Sequence, residues 1–417
     1  MDRRDFLGTT MASVTASITA SVPASARHRK APRILLVSGW QTINIGDIGH
    51  TPGMLRLLER HLPQAEVVLW PRNIGDGVKE MLVKHFPKVT SAMTAAEVTQ
   101  AFADCDFLLH SSGPALVGGK QLAEWSAKTK KPYGILGITV GTMDDASRAV
   151  LNGAKFFYTR DTLSLAYAKK EKITTPILDF APDSAFAVDI RDDAKADAFR
   201  AKHGLEEGKF LCVIPKYRNT PYWLVRKPVS DKPLTDGDKA KDKTNQAMKE
   251  SDFAKVRPAV IEFLKTTPYK VVLVPEDKTH ININKEMFLD RIPDDLKSRV
   301  VWKDDYWLTD EAISLYLKSL GLLSMDMHSP IMCIGNGIPA IHCRFKEQTT
   351  KGQMWNDIGL NNWLFNLDDE KDGDKITAAL LAMVKDPAAA KKTALKAKAF
   401  VDGKFAETFK VLGKSLA

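Results

Sequence analysis

The chain has 417 residues, of which 44% are hydrophobic and 27% charged; this excludes a disordered or collagen-like protein and leaves room for two ordinary domains. The formal net charge is +9, but the lysines are spread along the chain among acids, so the surface reads as solvated and not as a nucleic-acid stripe. The four cysteines, Cys105, Cys212, Cys333 and Cys343, lack C-x-x-C spacing and sit in or beside apolar runs, as buried thiols do; pairing of Cys333 with Cys343 across a Gly-Pro turn is neither required nor forbidden by spacing.

Residues 1–30 read as a leader. Arg3-Arg4-Asp5-Phe6-Leu7 resembles a twin-arginine export signal. A mildly apolar stretch from Gly8 to Val22 follows, too short and too polar to span a membrane stably, and Ala24-Ser25-Ala26 supplies a small-residue cleavage site. The expected location is therefore outside the cytoplasm, in the periplasm; without a working leader the chain stays cytoplasmic.

From Arg33 onward, short apolar strands alternate with helices. Strands are predicted at 33–37, 65–70, 106–110, 133–139, 156–159 and 177–180, with apolar positions at helical spacing from Met54 to Leu62. The pattern restarts after Gly204, with strands at 209–214, 269–274, 299–302, 321–325, 339–343 and 363–367. Such alternation predicts parallel sheets covered on both faces, here two Rossmann-like, doubly wound α/β domains facing a cleft. The boundaries are 31–203 for the first domain, 204–373 for the second, and 374–417 for C-terminal helices that pack back on the body. Residues 226–252 are crowded with Lys, Asp, Pro and Gly and read as a mobile charged loop or lid.

In such folds ligands meet the carboxyl ends of strands, so polar groups there are the candidates. The first strand leads into Asn44-Ile45-Gly46-Asp47, a helix start able to present a backbone nest. Arg160 ends a strand beside an N-cap, and Asp183 follows another. In the second half, Lys216 and Arg218 follow the first strand, and His280 closes the polar run after the second. Ser324-Met325-Asp326-Met327-His328-Ser329 ends a strand and opens a helix, with His328 at its N-terminus; Lys346 follows the next strand. Tryptophans between Trp302 and Trp307 suit either a sugar ring or the core. The histidines show no metal-ligand spacing, so no metal site is expected.

Taken in order, these pieces resemble the polysaccharide pyruvyl transferase family. The landmarks are Asn44–Asp47, Arg160–Ser164, Asp183, Ser324–His328, the Gly337–Pro339 turn and Lys346. The resemblance spans residues 33 to 370. It implies a fold like that of GT-B glycosyltransferases, and transfer of pyruvyl from phosphoenolpyruvate, or another small anionic donor, to a polysaccharide or oligosaccharide acceptor, with no cofactor. His328 is then the general acid, and Arg160, Lys216, Arg218 and Lys346 clamp the anion. The chain departs from the family at Asp326, where an arginine is usual. Two alternatives stand beside this reading: an exported, non-catalytic carbohydrate-binding protein, and a glycosyltransferase using a nucleotide sugar, for which no dedicated nucleotide fingerprint is present.

Overall fold

Apolar runs bounded by turn residues become strands because a parallel sheet buries both of their faces. The computed structural model describes residues 31–225 and 234–416. In the N-terminal half the strands are β1 Arg33–Ser38, β2 Glu66–Pro71, β3 Thr90–Ser91, β4 Phe107–His110, β5 Tyr133–Ile138, β6 Phe157–Thr159 and β7 Leu178–Phe180. They pair in parallel in the order β3-β2-β1-β4-β5-β6-β7. The C-terminal half has β8 Phe210–Ile214, β9 Lys270–Leu273, β10 Val300–Trp302, β11 Gly321–Ser324, β12 Ala340–Arg344 and β13 Leu364–Asn366, ordered β10-β9-β8-β11-β12-β13 and again parallel. Each sheet reverses its strand order beside its first strand. The crevices therefore lie at the carboxyl ends of β1 and β4 and of β8 and β11.

The two crevices are pressed together. Asn44, after β1, forms an antiparallel bridge with Asp277, after β9. The Ile45 amide donates to the Glu276 carbonyl at 2.9 Å and the Lys278 amide to the Ile43 carbonyl at 3.1 Å. One apolar cluster joins Ile45 and Ile48 of the helix Ile45–His61, Ile331 and Met332 of the helix His328–Gly335, and Phe405 and Phe409 of the last helix, Pro387–Ser415. Packing is close enough that a Cβ on Gly335 would lie 1.8 Å from the Phe186 carbonyl oxygen. Around the site the halves thus meet in a packed seam and not an open cleft.

The charged stretch 226–252 departs from expectation. From Asp236 it is helix, part of Asp236–Thr266, capped by the Thr235 side chain and carrying Asp236 and Asp238 in its first turn. Its charge reflects solvent exposure: Asn245 and Asp252 are its buried polar contacts in that stretch, and the helix then continues into the apolar face of Phe253, Val256 and Val260. The helix Asp372–Lys385 packs on it, and Pro387–Ser415 reaches helices of both halves. All four cysteines are free and buried. Among the described residues no helix is long and apolar enough to cross a membrane. The leader at 1–30 and residues 226–233 lie outside the described residues.

Candidate active site

The seam gathers side chains from the carboxyl ends of both sheets. On the N-terminal side, Asn44 caps the helix Ile45–His61, its Oδ1 accepting from the amides of Gly46 at 2.8 Å and Asp47 at 3.1 Å. One turn on, His50 is fully buried, with Nε2 3.2 Å from Asp183 Oδ2. Asp183 also accepts from Arg160 Nη1 at 2.8 Å, Ser112 Oγ at 2.9 Å and the Ala185 amide at 2.9 Å. Burial opposes the Asp183 charge, yet His50 and Arg160 hold its carboxyl well below the usual range. Arg160 is fully buried, with Nε donating to Thr139 Oγ1 at 2.7 Å and Nη2 left without a partner among the described residues.

On the C-terminal side, Glu276 is buried and caps the helix His328–Gly335: its oxygens accept from the amides of His328 at 3.3 Å and Ser329 at 2.6 Å. Trp307 Nε1 donates to the Pro275 carbonyl at 2.8 Å and Trp302 Nε1 to the Ile281 carbonyl at 3.0 Å, so these tryptophans brace the loop instead of facing a sugar. His328 has Nδ1 3.3 Å from Glu276 Oε1 and Nε2 3.9 Å from Asp47 Oδ1. Its ring meets the His50 ring edge-on, centroids 5.2 Å apart. Only a glycine fits opposite it, because a Cβ on Gly46 would lie 2.0 Å from His328 Cβ.

Asp326, in the position where the family's arginine is expected, is buried and pairs with Lys216 Nζ at 2.7 Å. Burial opposes its charge, but Lys216 and then His280 hold its carboxyl well below the usual range. His280 Nδ1 accepts from the amides of Glu276 at 3.2 Å and Asp277 at 3.4 Å, so its proton sits on Nε2, between Asp277 Oδ2 at 3.1 Å and Asp326 Oδ2 at 3.8 Å.

Asn44, Gly46, Asp47, Arg160, Asp183, Lys216, His280, Asp326 and His328 thus come together. Three candidates do not join them. Arg218 is locked bidentately to Asp252 at 2.7 and 2.8 Å and to Asp368 at 2.6 Å, a structural clamp on the helix Asp236–Thr266. The Lys346 side chain is exposed while its amide binds Asp368 at 2.7 Å. Ser329 turns its hydroxyl into the core, where it accepts from Tyr316 at 3.2 Å.

Sequence reasoning missed Glu276, Asp277, His50 and Lys351. The two acids belong to the polar run after β9. His50 lies three residues beyond Asp47, one turn along the helix that Asn44–Asp47 opens and ahead of the apolar spacing read from Met54. Burial, then the Arg160 charge, lowers the pKa of Lys351. Among the described residues its ammonium makes no ion pair. Separation in sequence also hid the clustering of histidines. Three groups bring ligand atoms within 4.8 Å of one another: Asp47, His50 and His328; Glu276, Asp326 and His328; and Asp277, His280 and Asp326. At the mouth of the seam a cavity of about 520 Å³ is lined by Trp40, Gln41, Asp47, Arg72 and Lys278, among others.

The profile of the polysaccharide pyruvyl transferase family matches residues 44–346. No curated protein matches the sequence. Among solved structures, a putative UDP-N-acetylglucosamine 2-epimerase from Listeria monocytogenes superposes with a TM-score of 0.55 at 12% identity, over 90% of this chain and 94% of that one. UGT71G1 of Medicago truncatula, complexed with UDP-glucose, gives 0.52 at 10% identity, over 93% and 98%. At such identity the likeness concerns the fold, which is GT-B-like.

Proposed function

Because this chain belongs to the polysaccharide pyruvyl transferase family, we propose that it moves a pyruvyl group from phosphoenolpyruvate, or a similar small anionic enol donor, onto two hydroxyls of one sugar in a cell-envelope or extracellular polysaccharide. One observation carries this reading. His328 is buried where helix N-termini from both halves converge, between the carboxylates of Glu276 and Asp47. Convergent helix N-termini favour an anionic donor.

In the proposed mechanism, the His328 proton passes to the donor's methylene carbon as the enol double bond opens. The adjacent carbon becomes oxocarbenium-like and takes up one sugar hydroxyl, whose proton passes to Asp47. A second hydroxyl then displaces phosphate and closes the ketal, its proton leaving with the phosphate. Arg160, with its free Nη2, and Lys351 supply the positive charge that holds the donor. The chemistry calls for no cofactor.

The test is incubation of the purified protein with phosphoenolpyruvate and a panel of glycans. Expected are phosphate release, a ketal methyl signal by NMR, and loss of both in His328→Ala. Phosphate release no greater than that of His328→Ala across the panel sinks the proposal.

A second reading, glycan binding without turnover, is favoured by Asp326, which neutralises Lys216 at 2.7 Å where the family expects an added cation. Export through the leader fits this reading better, since phosphoenolpyruvate is a cytoplasmic metabolite. It predicts glycan affinity that is unchanged in His328→Ala.

A further inference from the structure

We infer that Asp47, His50 and His328 form a binding site for a divalent transition-metal ion. The inference shares His328 with the transfer reading but does not depend on turnover. His50 Nε2 faces Asp183 Oδ2 at 3.2 Å and His328 Nδ1 faces Glu276 Oε1 at 3.3 Å. The His50 imidazole is thus backed at one nitrogen by a hydrogen-bonded, fully buried carboxylate, the arrangement by which proteins fix the tautomer of a metal-ligating histidine, while the buried Glu276 carboxylate lies beside His328 Nδ1 at ion-pair distance. Both His328 nitrogens and His50 Nδ1 are buried without a hydrogen-bond partner among the described residues, and the two that face Asp47 are His50 Nδ1 and His328 Nε2. Both approach the same atom, Asp47 Oδ1, at 4.0 and 3.9 Å.

Those separations exceed a hydrogen bond. Contraction by about half an ångström brings them to about 3.4 Å, the edge of a tetrahedron with metal–ligand bonds of about 2.1 Å. The second Asp47 oxygen is engaged by Gln41 Nε2, which leaves Oδ1 for the ion. Asp47 also lines the cavity of about 520 Å³ at the mouth, which gives an ion a route inward. Two imidazoles and one carboxylate suit Zn(II), Co(II) or Fe(II) and not a hard cation such as Mg(II).

The two neighbouring groups lack these features. Glu276 spends both oxygens on helix amides, Asp326 is paired with Lys216, and His280 keeps its Nε2 proton because Nδ1 accepts from backbone amides.

An ion on His328 Nε2 occupies the nitrogen that would donate the proton, so metal binding and pyruvyl transfer exclude each other. The test is titration of the chelator-treated, full-length protein with Co(II). Expected are one equivalent bound, visible d–d absorption of a four- or five-coordinate ion, and its displacement by Zn(II). His50→Ala and Asp47→Asn abolish the absorption, and Glu276→Gln weakens binding by roughly tenfold to a hundredfold. His280→Gln leaves it intact. Absence of the d–d bands, or bands that survive both His50→Ala and Asp47→Asn, overturns the site. Asp47→Asn, with its near-isosteric side chain, keeps the test open should His50→Ala fail to fold. The spectroscopic readout separates failure of this inference from failure of the transfer reading.

Discussion

The two halves of the seam treat buried charge differently. On the N-terminal side one carboxylate, Asp183, collects four donors: Arg160, His50, Ser112 and the Ala185 amide. On the C-terminal side three acids, Glu276, Asp277 and Asp326, share one lysine and one histidine at ion-pair distance outside the His328 ring, with helix amides making up the difference. The first arrangement is a complete cradle. The second is an acid-rich wall, and Asp326 stands in it. A complete set of donors thus belongs to one half and an excess of acids to the other.

The comparison breaks most visibly through stability. Arg160→Ala strips a buried carboxylate of its guanidinium partner at 2.8 Å and should cost about 3–5 kcal/mol. Lys216→Ala should cost less, because Asp326 keeps His280 within 3.8 Å and accepts the Met327 amide. Urea unfolding of both variants checks the order; a greater loss in Lys216→Ala would reverse the contrast.

The halves should behave alike toward acid. Each buries a neutral histidine: burial lowers His110 to about 4 and His342 to about 3. Their folded pKa values lie below the unfolded value, so the unfolded chain binds more protons and stability falls as the pH drops below about 6.5. Each histidine should remove about 2 kcal/mol between pH 6.5 and 5. The paired carboxylates Asp183 and Asp326 add their loss only when the pH falls below the ordinary carboxylate range. Denaturant unfolding at pH 7 and 5 reads the histidine loss before the carboxylates contribute, and a flat response between them would show that neither histidine is held neutral.

The seam itself is sharpened by Gly46→Ala. The added methyl meets His328 Cβ at 2.0 Å, and overpacking of this kind costs about 1–3 kcal/mol. The protein should remain folded by circular dichroism while His328 is displaced, so phosphate release should fall as far as in His328→Ala. Full activity in Gly46→Ala would mean that His328 works from another position.

Much of this was legible in the chain. The longer strands announce themselves as apolar runs, and the strand ends led to Asn44, Asp183, Arg160 and His328, which lie in one seam because a doubly wound sheet delivers every strand end to one edge. The two-residue strand β3 carries too little pattern to read. The helix Asp236–Thr266 was hidden because its first four turns face solvent, where charged side chains resemble those of a loop. The engagement of Arg218 was hidden for the same reason: its partner Asp252 lies on that helix. His50 was hidden because a helix carries it from one half to a histidine of the other, 278 positions away by residue number, and no spacing rule spans that distance.

The smallest effect is the most discriminating. Asp326→Asn keeps the shape of the side chain and removes the charge that neutralises Lys216. The released ammonium then faces the seam as an anion site. Unit charges 4 Å apart at an effective dielectric of about 20 interact by about 4 kcal/mol, of which a third is enough to tighten phosphoenolpyruvate binding about tenfold. Asp183→Asn is the same chemical change in the other half, but there the carboxylate orients Arg160 and His50. Its loss should loosen the clamp and weaken the same ligand. Calorimetric titration of phosphoenolpyruvate into both variants should therefore give changes of opposite sign. Two changes of the same sign would mean that the acids of the two halves play one role.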